Sequence, residues 1–462
     1  MINTNDIPTP VSELVKEEFK LEAPKAEDSR SDEKPVEIDV SKFKPITAGD
    51  LLKILGLTIK RDETNKLIAF LALLSAYTKD SQINISFNAP SSTGKSFIPT
   101  EIGKLFPEQD VIEVGYCSPT AFFHDYGVLN KAKKGYIVDL SRKILIFLDQ
   151  PHTLLLQHLR PMLSHDKKEI RLKITDKSQK AGLRTKNIYL IGYPTVIFCT
   201  AGLMLDEQEA TRFLLLSPEI NQEKIREAIY QKIRKEADSL SYDSFLDSDP
   251  ERKLLMERIL VIRAESIKEI KIGSPALLQE LFFKKAKMLK PRHQRDIGRI
   301  IGLIKVLALL NLWFRQRDGE TLVANDDDIR EAFHIWDEIS ESQELNLPPY
   351  VFNLYKDIIL TAYKERNSEL DGVVKLGLSR QDILQKHFQV YGRHLPDWQL
   401  RQQIIPILEA SGLIIQEQDQ SDKRKTLIYP TTPLTIFNTQ NNSESHGGVA
   451  EEIEEIFGAK AI

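Results

Sequence analysis

A nine-residue segment constrains the fold of this chain more than any other part of the sequence. It follows a short apolar stretch, residues 83–87, and precedes residues 97–105, whose pattern is typical of a helix. A strand, a loop and a helix in this order are the setting of a phosphate-binding P-loop, whose backbone N–H groups surround the phosphates. The segment consists of Asn88, Ala89, Pro90, Ser91, Ser92, Thr93, Gly94, Lys95 and Ser96. In such a loop Lys95 reaches the β- and γ-phosphates and Ser96 binds Mg²⁺, so the sequence predicts an ATP site with Mg²⁺.

One position departs from the GxxxxGK[ST] pattern, because Ala89 stands where the first glycine is expected. Alanine is small, and we interpret it as a tolerated variant. The alternative is a chance Gly-Lys-Ser turn between two elements. The apolar stretch before the segment and the helical pattern after it favour the P-loop.

The net charge is small but unevenly distributed. The chain has 462 residues, enough for two or three domains, and a formal net charge of -4. Residues 1–45 carry eleven acidic and seven basic side chains, and residues 436–462 carry five acidic side chains and one lysine. The two ends are therefore acidic and the middle is mildly basic. Such a charge distribution permits binding to nucleic acid without requiring it.

The chain has two cysteines, Cys117 and Cys199, and each lies in an apolar run. This argues against a disulfide framework or a cysteine-based zinc site, and favours two buried thiols in a reducing cytoplasm. No apolar run approaches the ~18 residues of a membrane span, and the acidic N-terminus is unlike a signal peptide. We therefore expect a cytoplasmic protein with no membrane partner.

The first half of the chain has the pattern of an α/β domain behind a polar tail. Residues 1–45 are expected to be a disordered acidic tail, and residues 46–80 have the pattern of two helices. The β-patterns after the P-loop are a strand at 110–116, a hairpin at 128–139, an apolar strand at 144–148 that ends in Asp149, a basic hairpin at 168–191 and an apolar strand at 195–200. Strands that alternate with helices predict an α/β core over residues 46–220.

The second half is predicted to hold a helical region and a separate C-terminal unit. The helical region spans residues 221–345, and residues 436–462 are expected to be a second disordered acidic tail. Between them, residues 350–435 show three helical segments (351–366, 379–390, 397–412) and two strand patterns (413–417, 425–429). Three helices followed by a hairpin are typical of a winged helix-turn-helix.

Together these segments resemble the AAA+ ATPases with a pre-sensor-1 hairpin, and most of all the minichromosome maintenance (MCM) helicases. The resemblance covers residues 46–345, and the predicted winged helix extends it. It rests on segments in matching order: the P-loop, the hairpin at 128–139, the strand at 144–149, the hairpin at 169–191, Ala210-Thr211-Arg212-Phe213, Arg295-Asp296-Ile297 and the capped helix start at 325–332. It implies a P-loop AAA+ core with inserted hairpins and a helical lid, followed by a winged-helix domain.

The resemblance also implies catalytic roles. Asp149 would bind Mg²⁺ through water, and Arg212 would be the arginine finger that acts on the neighbouring subunit. Arg295 would be the sensor-2 arginine of the lid, which touches the γ-phosphate in the same or the adjacent subunit. The alternatives are a helix N-cap for Asp149, a surface ion pair for Arg212 and a solvated basic face for Arg295.

Three features depart from the family. Gln150 stands where the family has the glutamate that polarises the attacking water, and Thr200 stands at the position of a sensor asparagine. A short tail takes the place of the family's large N-terminal DNA-binding domain. Since an amide can orient a water but cannot act as a base, we expect slow hydrolysis of ATP.

Basic side chains on the hairpins and the predicted winged helix are candidates for binding nucleic acid. In the family such hairpins point into the pore of a ring, whereas the alternative is a solvated edge hairpin protected by its lysines. The winged helix binds either DNA or a protein. The candidates are Lys177, Ser178, Gln179 and Lys180 on the longer hairpin, Lys131, Lys133 and Lys134 on the shorter one, Arg401 and Gln402 on the third helix, and Lys423, Arg424 and Lys425 in the wing.

The sequence thus predicts an ATP-dependent DNA translocase or helicase that forms a homo-oligomeric, hexameric ring. By analogy with the family, we expect it to act in replication of a mobile element or phage, near the nucleoid of a bacterium or archaeon. One alternative is an ATP-binding switch that assembles on DNA, hydrolyses ATP slowly or not at all, and recruits a recombinase, transposase or primase. Another is a DNA-binding regulator that keeps an ATPase fold for oligomerisation.

Overall fold

A computed structural model describes residues 38–176, 184–202, 211–265, 267–285, 289–368, 376–419 and 422–431. The chain divides into two compact units, Met1–Ser41 and Lys42–Ile462. In the described part of the first unit, residues 38–41, the Ser41 hydroxyl donates a hydrogen bond to Asp39 Oδ1 at 2.6 Å. Every strand and α-helix of the described residues belongs to the second unit.

The described strands form four sheets. The strands are β1 (Ile85–Asn88), β2 (Val111–Val114), β3 (Val128–Asn130), β4 (Gly135–Asp139), β5 (Ile144–Phe147), β6 (Glu169–Asp176), β7 (Arg184–Ile191), β8 (Thr195–Thr200), β9 (Leu214–Leu216), β10 (Glu269–Ile272), β11 (Gln316–Asp318), β12 (Thr321–Ala324), β13 (Ile414–Gln418) and β14 (Thr426–Pro430). The central sheet is parallel, with the order β2-β5-β8-β1-β9. The other sheets are β3-β4-β7-β6, β10-β12-β11 and the hairpin β13-β14.

The helices surround these sheets. They are α1 (Ala48–Leu55), α2 (Glu63–Ser75), α3 (Phe97–Gly103), α4 (Pro119–Asp125), α5 (Thr153–Leu163), α6 (Gln222–Ala237), α7 (Ser239–Ser248), α8 (Pro250–Ala264), α9 (Pro275–Lys285), α10 (His293–Leu310), α11 (Asp326–Glu344), α12 (Pro349–Asn353), α13 (Thr361–Arg366), α14 (Arg380–Tyr391), α15 (Asp397–Gln399) and α16 (Ile405–Ala410). Among the described helices, none combines the length and apolar composition needed to cross a bilayer.

The inner strands β1, β5 and β8 of the central sheet are fully buried, which explains why they are mostly apolar. Ile144 and Ile146 of β5 face a hydrophobic cluster that includes α1, α2 and α10. Leu145 and Phe147, on the opposite face, belong to a cluster with α5 and the four-stranded sheet. The predicted α/β core with a central parallel strand at 144–148 is therefore confirmed.

The two predicted hairpins form, but they belong to one sheet. Strands β3 and β4 pair antiparallel, as do β6 and β7. Parallel pairing of β4 with β7, in which Tyr136 lies opposite Ile188, joins the two hairpins edge to edge. The inner face of this sheet packs on α5 through Val138, Ile188 and Leu190, so both hairpins are anchored on one layer of the core.

The sequence predicted a helical region at 221–345. The structure differs, because this region also contains the sheet β10-β12-β11. Its strands have only three or four residues, too short to show a clear alternation. The buried side chains of this sheet, Ile270, Leu322 and Ala324, belong to the same hydrophobic cluster as α2 and β1. In the described part of the chain, the helical region therefore shares one hydrophobic core with the α/β sheet.

The C-terminal segment has its own hydrophobic cluster and the predicted order of elements. Helix α12 continues through a π-helical segment (Leu354–Leu360) into α13, and α15 continues through a second one (Leu400–Ile404) into α16. With α14 they form three helical segments, and the antiparallel pair β13-β14 follows. We call residues 349–431 the C-terminal unit.

The predicted boundary of the N-terminal tail, at residue 45, lies too far along the chain. Phe43 is 4 % exposed, and its ring centroid lies 4.5 Å from that of Trp313. The Arg258 guanidinium, which is also buried, lies 5.0 Å from the Phe43 ring centroid. Phe43 therefore belongs to the core, and a single aromatic residue in a polar stretch gave too weak a signal to show it.

Candidate nucleotide-binding site

The predicted P-loop connects the end of β1 to α3. Asn88 is fully buried; its Oδ1 accepts a hydrogen bond from Ser86 Oγ at 2.6 Å, and its Nδ2 donates to the Gly202 carbonyl at 3.3 Å. The Ala89 N–H donates to the Thr200 carbonyl at 3.3 Å. Ala89 is buried and does not adopt a left-handed backbone conformation, so the loop does not need glycine there. Alanine at the first glycine position of the motif is compatible with this loop.

The tip of the loop is open and uses left-handed backbone. Ser92 has a φ of 65° and Gly94 has a φ of 92°. A Cβ at Gly94 would meet no atom within 4 Å, so this glycine is required by its backbone conformation and not by crowding. Ser91, Ser92 and Ser96 are exposed. The loop therefore presents its backbone and hydroxyl groups to solvent.

Lys95 folds back onto its own loop. Its Nζ donates to the Pro90 carbonyl at 2.8 Å, and the Thr93 hydroxyl donates to the same oxygen at 3.0 Å. Burial lowers the pKa of Lys95, and the nearby Asp149 carboxylate opposes that shift. This ammonium would form a stronger hydrogen bond with a phosphate oxygen than with the neutral Pro90 carbonyl, because hydrogen bonds between charged groups are the stronger ones.

Asp149 lies at the carboxyl edge of the same sheet, just after β5. Its Oδ1 accepts a hydrogen bond from the Gln150 N–H at 2.8 Å. The Leu154 N–H at the start of α5 donates to His152 Nδ1 at 3.1 Å, so His152 caps this helix. The N-cap alternative for Asp149 is therefore wrong. Ser96 and Asp149 supply the hydroxyl and carboxylate oxygens that Mg²⁺ prefers.

Gln150 and Thr200 are joined across β5 and β8. The Thr200 hydroxyl donates to Gln150 Oε1 at 3.0 Å and accepts from the Gly202 N–H at 2.9 Å. Since Asn88 lies opposite Thr200 in the parallel register, this pair lies beside the start of the P-loop. The carboxyl edge of a parallel sheet is where open α/β folds bind ligands.

These elements enclose one cleft of about 480 Å³. It is lined by Ser91, Ser92, Gly94, Lys95, Ser96, Leu148, Asp149, Cys199, Thr200 and Ala201. The structure therefore brings together the predicted loop, the predicted Mg²⁺ ligands and the predicted sensor residue. Among the described residues, no group of three or more His, Cys, Asp or Glu side chains is placed to hold a metal. Mg²⁺ does not need such a cage, because it is commonly held by one or two protein oxygens together with substrate phosphates.

Four residues near this cleft were not assigned to it from the sequence. The Cys199 thiol lines the cleft, and burial raises its pKa to about 12, so the thiol stays protonated. Ser217 Oγ donates to the Asn88 carbonyl at 2.5 Å. Lys224 Nζ donates to the Thr93 carbonyl at 3.4 Å and forms an ion pair with the buried Asp62 carboxylate.

The fourth residue, Arg393, comes from the C-terminal unit. Its Nη1 donates to the Ser91 carbonyl at 3.2 Å. The position of Cys199 beside Thr200 in an apolar strand could have indicated the thiol, but no local motif marks Ser217, Lys224 or Arg393. Their proximity to the loop results from the tertiary fold.

Arg212 and Arg295 do not line this cleft. Arg212 precedes β9, where Leu214 lies opposite Ile85 at the start of β1, whereas the P-loop follows the other end of β1. At ~3.3 Å per residue, roughly 16 Å separates Arg212 from the loop along the sheet. Arg212 Nε donates to Ser164 Oγ at 2.8 Å. The acidic residues just upstream, at 206–209, lie outside the described residues.

Helix α10 places Arg295 at the same edge as Arg212. Arg299, one turn after Arg295, donates to the Thr211 and Phe213 carbonyls at 3.0 and 2.9 Å. Burial lowers the pKa of Arg299 to about 10, and its Nη1 donates to Asp296 Oδ1 at 3.2 Å. Arg295 is exposed, and the turn of α10 that follows it is bound next to Arg212, on the side of the sheet away from the P-loop.

The shorter hairpin presents its basic turn beside strand β7. Lys133 Nζ binds Glu169 at 2.6 Å and lies 5.0 Å from the Tyr189 ring centroid. Lys131 and Lys134 are exposed. The turn of the longer hairpin, with Lys177, Ser178, Gln179 and Lys180, lies outside the described residues.

The predicted nucleic-acid residues of the C-terminal unit are exposed. Arg401 and Gln402 lie on the outer side of the third helical segment, whose Leu400 and Ile404 are buried. Lys423, Arg424 and Lys425 are exposed in the turn between β13 and β14. The two basic groups are thus accessible to a ligand.

Comparison with known proteins adds no assignment, since no family model matches the sequence and a search of curated proteins finds no match.

Proposed function

We propose that this protein binds and hydrolyses Mg·ATP at the cleft formed by the P-loop, β5 and β8. The observation that carries the proposal is that Lys95, Ser96, Asp149 and Thr200 line one open cleft at the carboxyl edge of a parallel sheet. The four residues come from three separate parts of the sequence. A chance Gly-Lys-Ser turn would not be expected to lie at this edge beside a strand that ends in an aspartate.

Different residues of the cleft would bind the phosphates, hold Mg²⁺ and orient the attacking water. The Lys95 ammonium would leave the Pro90 carbonyl and bind the β- and γ-phosphates, while the loop N–H groups hold the remaining phosphate oxygens. Ser96 and Asp149 would hold Mg²⁺, which neutralises phosphate charge when it is bound. Gln150, fixed through its Oε1, would offer its amide to orient the attacking water.

We further propose a ring in which each active site is completed by the neighbouring subunit. Arg212 lies away from the P-loop of its own chain, and Arg299, one turn after Arg295, donates to the Thr211 carbonyl next to it. Two arginines at the opposite edge are suited to stabilise phosphate charge in an adjacent copy, as the resemblance to MCM helicases implies. A hexameric ring is the assembly that this resemblance favours.

DNA is the proposed polymer along which the protein moves. The exposed Lys131 and Lys134, the joined hairpins and the exposed basic residues of the C-terminal unit support binding to a phosphate backbone. The C-terminal unit would act as a winged helix. The proposed overall activity is ATP-driven translocation on DNA or unwinding of DNA, in replication of a mobile element or phage.

Steady-state ATP hydrolysis with and without single-stranded DNA tests this proposal. We expect turnover that DNA stimulates and that Lys95→Ala and Arg212→Ala both abolish. Retained turnover in Lys95→Ala would overturn the assignment of the cleft. Turnover without any response to DNA would overturn the translocase.

The second candidate is an ATP-binding switch that assembles on DNA and recruits a partner such as a recombinase, transposase or primase. The observation that favours it is Gln150, an amide where a general base would be needed. A switch needs ATP only for assembly. A non-hydrolysable analogue should then support DNA binding and assembly as fully as ATP does, with negligible phosphate release.

A further inference from the structure

One side chain of the C-terminal unit, Arg393, binds the loop that lines the nucleotide cleft. Arg393 Nη1 donates to the Ser91 carbonyl at 3.2 Å, and Lys95 Nζ donates to the Pro90 carbonyl at 2.8 Å. Two cations from different parts of the chain therefore lie on consecutive carbonyls of the same loop. The Cα atoms of consecutive residues are about 3.8 Å apart, so the two cations approach one small region of the cleft.

The backbone at Arg393 is held in place. Gly392 ends α14 with a φ of 63°, and the Arg393 carbonyl accepts a hydrogen bond from His387 Nδ1 at 2.9 Å. Gln222 Nε2, from α6, donates to the Tyr391 carbonyl at 3.1 Å. The turn that carries Arg393 is thus fixed both to its own unit and to the rest of the molecule.

A second link joins the same two parts of the chain. The Tyr350 N–H donates to Ser217 Oγ at 2.9 Å, and Ser217 Oγ donates to the Asn88 carbonyl at 2.5 Å. Ser217 and Tyr350 are buried. One chain of hydrogen bonds therefore connects the first residue of the P-loop with the first helix of the C-terminal unit, and Arg393 reaches the tip of the loop from the same unit.

The contact of Arg393 is weak for a guanidinium. It pairs with one neutral carbonyl at 3.2 Å, and the side chain remains exposed. Arginine carries five N–H donors in a planar fork that matches phosphate oxygens. Lys95 and Arg393 are two cations near the cleft, and Asp149 is the carboxylate in its lining. The two cations outweigh this carboxylate, so the mouth of the cleft attracts a polyanion.

We propose that Arg393 is a nucleotide-binding residue that exchanges the Ser91 carbonyl for the terminal phosphate of ATP bound in the same chain. The proposal rests on the proposed function, since it requires ATP in this cleft. Lys95 is the P-loop residue that reaches the β- and γ-phosphates, and a cation one carbonyl away lies near the same end of the nucleotide. ADP lacks the outermost phosphate, so Arg393 distinguishes ATP from ADP.

This contact would couple nucleotide state to the C-terminal unit. Arg393 lies only four residues before α15, which leads into the segment with the exposed Arg401 and Gln402. In the ATP state, a bond from Arg393 to the nucleotide holds that segment against the cleft. In the ADP state this bond is absent and the segment is released. The equilibrium shifts only by the difference in free energy between the two contacts.

The test compares affinities of the full-length chain for Mg·adenylyl imidodiphosphate and Mg·ADP by titration calorimetry. We expect Arg393→Ala to weaken binding of the triphosphate analogue by about tenfold or more, since hydrogen bonds to charged groups are the stronger ones. Binding of ADP should change by less than about threefold, and Arg393→Lys should recover part of the loss. Arg380→Ala, which removes an exposed ion pair with Asp397 in the same unit, is the matched control and should leave both affinities unchanged.

A second measurement follows amide hydrogen exchange at residues 376–419. Addition of the triphosphate analogue should slow exchange in the unaltered chain and in Arg380→Ala, but not in Arg393→Ala. Thermal unfolding without nucleotide checks that the variants are folded. Equal loss of both nucleotides in Arg393→Ala, or no loss, would overturn the role of Arg393 while nucleotide binding stands. No binding by the unaltered chain would instead overturn the proposed function and this inference together.

Discussion

Thr200 Oγ1 donates a hydrogen bond to Gln150 Oε1 at 3.0 Å, and the Gly202 N–H donates to the same hydroxyl at 2.9 Å. Because the hydroxyl proton is committed to Oε1, the orientation of the Gln150 amide is fixed. A glutamate at this position could accept the same hydrogen bond and keep its second carboxylate oxygen for a water.

Gln150→Glu should therefore raise the rate of ATP hydrolysis, because it supplies a general base without removing the bond to Thr200. General-base catalysis contributes on the order of 10²-fold or more. Phosphate release at saturating ATP measures the effect. Gln157→Glu, on the exposed side of α5, adds the same charge away from the cleft and should leave the rate unchanged. If the two variants behave alike, Gln150 does not lie beside the attacking water.

The Ser217 hydroxyl joins two buried backbone groups, the Asn88 carbonyl and the Tyr350 N–H. Ser217→Ala leaves both without this partner, and we expect the free energy of unfolding to fall by about 1–3 kcal/mol. Denaturation with urea measures it. Ser340→Ala, on the exposed side of α11, should cost less than about 0.5 kcal/mol. A similar small loss in Ser217→Ala would mean that water replaces the hydroxyl.

The sequence was sufficient for features that local patterns determine. The continuous apolar runs at 144–147 and 195–200 are required by a parallel sheet buried on both faces, so they were recognisable. The Gly94-Lys95-Ser96 turn was also recognisable, because the left-handed backbone at Gly94 favours glycine there. These features gave the α/β core, the P-loop and the order of elements in the C-terminal unit.

Long-range pairing could not be predicted in this way. Nothing local distinguishes two separate hairpins from the joined sheet, because parallel pairing of β4 with β7 depends on how both pack against α5. The approach of Arg393 to Ser91 joins residues 302 positions apart. The strands β10 to β12 are too short for their alternation to outweigh the helical pattern around them.

Phe43 should stabilise the first residues of the second compact unit, Lys42–Ile462. It is 4 % exposed and packs against both Trp313 and the Arg258 guanidinium. Phe43→Ala removes a buried ring and should reduce stability by about 3–5 kcal/mol, as truncation of buried aromatic residues does. Val40→Ala, at a position 43 % exposed, is the control and should have little effect. Thermal or chemical unfolding of both variants compares them, and equal stability would show that the Phe43 contacts contribute nothing.

The C-terminal unit should lose stability in mild acid because of His387. Burial lowers the pKa of His387, the Nδ1 bond to the Arg393 carbonyl opposes that shift, and its buried Nε2 has no partner among the described residues. The folded state thus binds a proton less readily than the unfolded state, whose histidine pKa is about 6.5. Stability is fully present above that pH and falls as the pH drops below it.

His387→Gln should therefore show a smaller loss of stability between pH 7.5 and pH 5.5 than the unaltered chain. Urea unfolding at the two pH values measures the difference. His334→Gln, at an exposed position on α11, should keep the dependence of the unaltered chain. If His387→Gln keeps it as well, other groups cause the acid sensitivity.

Mixing two inactive variants tests whether Arg212 acts across subunits. Arg212 lies roughly 16 Å from its own P-loop along the sheet, too far to touch a phosphate bound there. Lys95→Ala removes the cation that binds phosphate, and Arg212→Ala removes the proposed contribution to the neighbour. Each variant alone should be inactive. In a mixed ring, an intact Lys95 in one subunit meets an intact Arg212 from the next, so the mixture should regain part of the DNA-stimulated hydrolysis.

The matched control replaces Arg212→Ala with a second change in the same cleft. In a mixture of Lys95→Ala with Asp149→Asn, no chain has both residues of its own cleft intact, so this mixture should stay inactive. Combining Lys95→Ala and Arg212→Ala in one chain, mixed with nothing else, should stay inactive. If Lys95→Ala with Arg212→Ala gives no activity while gel filtration shows that the variants co-assemble, Arg212 does not complete a neighbouring site. The serine contact at Ser164 would then be its main role.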